Sequence, residues 1–320
     1  MRPLPLDFSL VAPGIGNFGD SLGPLLVAAF SGREVVRAPR ISPWRRLAAT
    51  GTNAQKFRLG TVDLWGTGAA GGNNPFEPQR GFPRHFATRL VPHLLRGPFS
   101  ARLLAEAGFG PPRAFGDPAW LLPRLWPAPP GPPRHELGVI LHESEVAAPH
   151  PGAPANAEFL RYHLPPSLAG TVRIISPLHA LDVRSMRAKL DEMLDCRRLL
   201  STGLHGLVLA EAYGRPCAAF DIHAGASGRI PLTTETPLDH RIRDFYAGIG
   251  QDQALVLRQE RHLATDWEAA IRFLDREWSP VGFDATALIE VFPERHGRLS
   301  DAHLPAGPAE LEARLRRVMA

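Results

Sequence analysis

The chain has 320 residues, 44% of them apolar and 21% charged, the make-up of a globular protein of about two domains. That length buries enough core to need no disulfide or metal staple, and no apolar run approaches the roughly 18 residues of a membrane span. The formal charge is only +4, without a basic tail or lysine-rich stripe, so nucleic acid is not an expected partner.

The predicted elements alternate strand and helix. Phe8–Ala12 reads as a short strand entering a glycine loop, followed by a helix over Ser21–Phe30 and a strand over Glu34–Ala38. Thr61–Trp65 and Pro92–Arg96 read as strands, and Phe99–Ala107 as a helix stopped by Gly108. Five of the nine residues Trp126–Arg134 are proline, which neither a helix nor a central strand accommodates. This linker divides the chain into residues 1–125 and 136–320, with 126–135 between them. Beyond it, strands are expected at Leu137–His142, Thr171–Ser176, Arg198–Ser201 and Pro216–Phe220, and helices at Val183–Asp195, His205–Tyr213 and Trp267–Trp278. Such alternation predicts parallel sheets in layered α/β domains, with a ligand cleft at the strands' carboxyl ends. Pro308–Met319 reads as an amphipathic helix whose Arg314, Arg316 and Arg317 form a solvated face or touch anionic headgroups.

Lysine occurs only at Lys56 and Lys189, so arginine carries the positive charge, a side chain whose fork suits carboxylates and phosphates. Cys196 and Cys217 are too far apart for a CxxC pair and read as free thiols of a cytoplasmic protein. The first residues lack the apolar stretch of a secretory leader.

Several short stretches carry chemistry. Gly14-Ile-Gly-Asn-Phe-Gly19 matches GxGxxG. It reads as a dinucleotide turn, as a strand-to-helix turn that needs glycine, or as an anion site at a helix N-terminus capped by Asp20. The dinucleotide reading needs an acid at the end of the second strand, where this chain has Arg37 and Arg40. Trp65-Gly-Thr-Gly68 is a second glycine cluster, and Arg96 ends a strand ahead of Ser100. His205 falls at a helix N-terminus and a strand's carboxyl end, a position suited to acid/base chemistry on an anion. His142, Glu143 and Glu145 have the spacing of a weak metal corner, but the chain contains neither HExxH nor a zinc-type Cys/His set. P-loop and GxSxG patterns are absent as well.

Together, Gly16-Asn-Phe-Gly-Asp-Ser-Leu22, Trp65-Gly-Thr-Gly68, Arg96-Gly-Pro-Phe-Ser100, Gly116-Asp-Pro118, Leu204-His-Gly206 and Asp244-Phe-Tyr246 resemble the polysaccharide pyruvyl transferases, in particular the ketal-forming exopolysaccharide branch. The resemblance implies two Rossmann-like domains facing a GT-B-like cleft. It implies transfer of a pyruvyl group from phosphoenolpyruvate to a sugar of a polysaccharide or lipid-linked oligosaccharide, as a cyclic ketal, without metal or other cofactor. A lipid-linked acceptor would bring the protein to the inner membrane face, with peripheral contact at most.

On that reading His205 is the acid/base residue. Arg96, His142, Leu204 and Gly206 bind the donor on the C-terminal side. Asn17, Gly19, Asp20, Gly66 and Gly68 form loops on the N-terminal, acceptor side. Many family members have arginine where this chain has Gly203, so Arg229 or Arg241 would have to supply that charge. The alternatives are a nucleotide-sugar glycosyltransferase and a non-catalytic relative. Sequence leaves the oligomeric state open.

Overall fold

The computed structural model describes residues 2–233, 235 and 237–319. Its strands are β1 (Leu4–Asp7), β2 (Ile15–Asn17), β3 (Val35–Arg37), β4 (Arg46–Ala48), β5 (Gly60–Thr67), β6 (Thr88–Leu95), β7 (Ala114–Phe115), β8 (His135–Ile140), β9 (Val172–Ile175), β10 (Leu178–Ala180), β11 (Cys196–Ser201), β12 (Cys217–Asp221), β13 (Gly228–Pro231) and β14 (Gln253–Arg258). Its helices are α1 (Phe18–Ser31), α2 (Pro98–Glu106), α3 (Leu122–Leu125), α4 (Val183–Leu194), α5 (Leu204–Ala212), α6 (His240–Gly248), α7 (Trp267–Glu277), α8 (Thr286–Glu290) and α9 (Pro308–Met319).

Two six-stranded sheets result, ordered β3-β1-β4-β5-β6-β7 and β9-β8-β11-β12-β14-β13. All pairs are parallel except the edge pair β13–β14. Each sheet starts inside and reverses direction once, between β1 and β4 in the first and between β8 and β11 in the second. In doubly wound sheets, ligands bind outside the strand ends at such a reversal.

The glycine loop departs from the sequence reading. The first strand is Leu4–Asp7, and Phe8–Leu10 continue as irregular chain. Ile15–Asn17 form a strand that pairs antiparallel with Leu178–Ala180, so GxGxxG stitches residues of the two halves together and makes no dinucleotide turn. The cap of α1 is Asn17, whose Oδ1 accepts from Gly19 N at 3.1 Å; Asp20 lies inside the first turn, where its charge favours the helix dipole.

Helix α1 is buried on nearly every face, as expected for an apolar helix held between layers. It packs on α5, and one apolar cluster runs from Leu22 and Leu25 to Ile140, Leu204 and Leu207. Pro24 removes the N–H that would reach Asp20 O, and the Thr50 hydroxyl after β4 donates to that carbonyl at 3.4 Å instead.

The chain's end returns to the first sheet. Leu311, Leu315 and Val318 of α9 are buried, and α9 packs on α1 and β3. Arg314 donates to the carbonyls of Ala28 and Ala29 at the end of α1, and Arg317 pairs with Glu34. Two of the three arginines expected on an open face are thus engaged within the fold. Asp63, fully buried in β5, accepts from Arg45, His93 and His296. Burial alone would raise its carboxyl, but these bonds hold it far below the carboxylate range. No helix among the described residues is long and apolar enough to cross a membrane.

Candidate active site

The two sheet reversals face one space. A cavity of about 550 Å³ is lined by Ser9 and Val11 after β1, Gly51 and Asn53 after β4, His142 and Glu143 after β8, and Gly203–Gly206 after β11. The first turns of α1, α5 and α6 reach it through Gly19, His205 and Arg241. Three helix N-termini at one cavity favour an anion there. Gly203 caps α5 without a side-chain hydrogen bond, so α5's first amides lack a side-chain partner.

His205 is the second residue of α5, with its side chain 16% exposed. A Cβ on Gly19 would sit 2.1 Å from His205 Nδ1, so glycine at 19 makes room for the imidazole. His205 Nε2 lies 3.8 Å from Asp117 Oδ2, and Arg96 Nε approaches the same oxygen at 3.8 Å. All three atoms are buried without a hydrogen-bond partner among the described residues. The other Asp117 oxygen caps the turn Pro118–Leu121. Burial pushes His205 down to about 4 against the pull of Asp117, so the ring is neutral at pH 7.

Arg96 is 1% exposed. It donates to Gly51 O at 2.6 Å and Thr52 Oγ1 at 2.8 Å, which fixes the loop after β4 as cavity wall. Asp244 holds the start of α2 from outside, accepting from Ser100 N at 3.0 Å and Ser100 Oγ at 2.5 Å. Gly97 and Gly248 let α6 meet Arg96-Gly97 closely, since a Cβ at either would strike backbone oxygen within 2.0 Å. The packing that seats Arg96 therefore also seats Arg241.

Arg241 lines the cavity and pairs with Asp239, its Nε 2.9 Å from Oδ2. Arg229 bonds Glu277 O and Ser279 Oγ instead. Position 203 has ordinary extended φ and ψ, and a Cβ there would meet nothing nearer than His142 at 3.8 Å. Lys56 also lines the cavity and forms no ion pair among the described residues.

Asp20 is the cavity's least satisfied carboxylate, with no side-chain hydrogen bond or ion pair among the described residues. Burial and then the neighbouring Glu143 raise it to about 6. Asn17 Nδ2 donates to Glu143 Oε2 at 3.0 Å across the cleft. His142 caps the turn Glu143–Glu145, with Ser144 N donating to its Nδ1 at 3.2 Å, and burial lowers it. Glu145 turns away to Tyr162 and Arg261, so His142, Glu143 and Glu145 do not converge as metal ligands. His240, pushed down to about 4 mainly by burial, completes the wall.

Two expected loop residues do not reach the cavity. Gly66 makes room for Pro118, where a Cβ would lie 2.1 Å from Cδ, and Gly68 makes room for Arg96 Nη1. Gly206 lets α5 approach Ser201, and of Leu204 only a little remains exposed; each reaches the cavity wall at the start of α5.

The polysaccharide pyruvyl transferase family model matches residues 64–223, half of the chain. The chain belongs to the polysaccharide pyruvyl transferase family. The match takes in Arg96, Asp117, His142 and His205, while Asp20 and Arg241 lie outside it. No curated protein and no solved structure matches the chain. Membership indicates pyruvyl transfer and a polysaccharide acceptor.

Proposed function

We propose that the protein transfers a pyruvyl group from phosphoenolpyruvate to two hydroxyls of a sugar, forming a cyclic ketal and releasing phosphate. The two sheets act as GT-B-like halves, divided at residues 126–135, with the reaction in the cavity between them. The observation that carries this reading is the join of the neutral His205 to a cavity ringed by three helix N-termini, Lys56 and Arg241.

Phosphoenolpyruvate is a small polyanion. The free amides of α5, Lys56 and Arg241 hold its phosphate and carboxylate, and Arg241 supplies the charge that Gly203 lacks. Arg96 fixes the loop at Gly51 and, through Asp117, the back of His205. A proton added to the donor's methylene makes a methyl group and leaves an oxocarbenium-like carbon. One sugar hydroxyl adds there, and its proton passes to His205. The second hydroxyl then displaces phosphate, which leaves with that hydroxyl's proton. Asp20 is the acid that supplies the methylene proton. Two titratable groups pushed in opposite directions in one cavity suit such a division of roles.

The test is phosphate release from phosphoenolpyruvate in the presence of oligosaccharide acceptors, with mass spectrometry of the products. Phosphate release together with a ketal-bearing product supports the reading. A product that gains a hexose from a nucleotide sugar instead would refute it.

A further inference from the structure

A second, smaller cavity opens beside the first. It measures about 220 Å³ and shares His142 and Arg241 with the main cavity. It lies beyond the carboxyl ends of β8, β11 and β12, under the segment Asn74–Phe76. That segment is pinned, because His240 N donates to Pro75 O at 2.7 Å, and Phe76 stands edge-on to His223 with ring centroids 4.7 Å apart.

The chemistry of this annex differs from that of the main cavity. Both arginines that line it already face a carboxylate: Arg241 with Asp239 and Arg261 with Glu145. An anion here finds no lining cation beyond Arg241, which the proposed donor in the main cavity already engages, and Arg261, held by Glu145. What is spare is an acceptor. Asp221 is 4% exposed, and its Oδ1 accepts from Ile222 N and His223. Its Oδ2 has no hydrogen-bond partner among the described residues, and the nearest cation, Arg258 Nε, stands at 3.5 Å. Leaving a buried acceptor unpaired costs about 1–3 kcal/mol, which a donor from a ligand would recover. Ser144 and Thr202 add hydroxyls, and Phe76 offers an aromatic face. The volume lies below the roughly 300–1,000 Å³ of drug-sized sites, so it suits one ring.

We infer that the annex is a subsite for one neutral pyranose ring of the acceptor. Ring hydroxyls donate to Asp221, and an apolar ring face lies against Phe76. The inference rests on the reading of the acceptor as a sugar. It places the ring beside the second sheet rather than on the first-half loops. A ring so held points its hydroxyls at the shared wall of His142 and Arg241, across which the donor lies.

Isoleucine methyls distinguish the two spaces, because Ile222 and Ile242 line the annex and Ile140 lines the main cavity. The full-length protein, labelled at isoleucine methyls, is titrated with methyl glucoside, methyl galactoside and methyl mannoside to about 100 mM, where millimolar affinities register. At least one pyranoside is expected to shift Ile222 and Ile242 saturably. That response should weaken at least fivefold in Phe76→Ala and in Asp221→Asn, with the remaining methyl spectrum intact. Shifts at Ile140 alone, no shift with any pyranoside, or an unchanged response in both variants would overturn the inference. Phosphoenolpyruvate is titrated separately and should move Ile140. Its failure to bind would count against the donor reading and leave the pyranoside result to stand by itself. Phosphoenolpyruvate shifting Ile222 and Ile242 would make the annex the donor site and overturn the subsite.

Discussion

Replacing Asp20 by asparagine should make the protein more stable and less active. The carboxyl is raised from 3.8 to about 6, first by burial and then by Glu143. Below about pH 4 it is protonated in both folded and unfolded chains. Between about pH 4 and 6 the unfolded chain releases the proton while the folded one keeps it, so stability falls as pH rises. Above that window the penalty is constant, at about 3 kcal/mol for a carboxyl raised this far. Asparagine keeps the shape and removes the charge, so Asp20→Asn should gain about 2–3 kcal/mol at pH 7.5 and much less at about pH 4. Urea denaturation at the two pH values measures this directly. If Asp20 supplies the proton, the same variant should lose about 10²–10⁴-fold in turnover. A variant no more stable at pH 7.5, or one whose gain does not shrink in acid, would refute the reasoning about Asp20's surroundings. A stabilised variant with normal turnover would remove Asp20 from the chemistry alone.

Other expectations follow from the same geometry. Asp117 faces His205 Nε2, so ¹⁵N spectra of the imidazole should show a proton on Nε2 and a free Nδ1, and Asp117→Asn should change that tautomer; identical spectra would deny Asp117 a positioning role. Gly19→Ala places a methyl on the His205 ring, which should cost about 1–3 kcal/mol in stability by denaturation and most of the activity. Gly203→Arg should fold normally, because that backbone and the space beyond it accept a side chain, and should leave phosphoenolpyruvate affinity within about threefold, since Arg241 already supplies that charge; a gain of about tenfold in calorimetry would mean that Arg241 does not fill the role. Asp244→Ala leaves the Ser100 N–H and hydroxyl proton without an acceptor in the core, and denaturation should show a loss of about 2–4 kcal/mol.

The parallel layered architecture was legible because apolar strands such as Leu137–Ile140 and stopped helices such as Phe99–Ala107 follow local patterns. What escaped depends on tertiary partners. Strand β4 is three residues long, and its Arg46 looks like a surface side chain. It is buried and donates to the carbonyls of Arg40, Ser42, Trp44, Leu59 and Arg58. Helix α6 begins with three charged or titratable residues among its first four, a polar face that concealed packing on residues 96–97. At the site, His205 and its position at a helix start could be read from the strand-helix alternation. The purpose of Gly19 could not, because the ring that needs the space lies 186 positions away along the chain. One oxygen of Asp117 caps the local turn Pro118–Leu121; the role of the other depends on α5, which only the fold brings alongside. Arg241 carried weight only as one of two substitutes for position 203, and it took the fold to separate it from Arg229.

The most direct test of the account is calorimetric titration of phosphoenolpyruvate into the wild-type protein and Arg241→Ala, with a UDP-sugar in parallel. The account predicts saturable phosphoenolpyruvate binding in the wild type, at least tenfold weaker in the variant, and no UDP-sugar isotherm. Phosphoenolpyruvate binding that ignores Arg241, or a UDP-sugar isotherm with none for phosphoenolpyruvate, would contradict it.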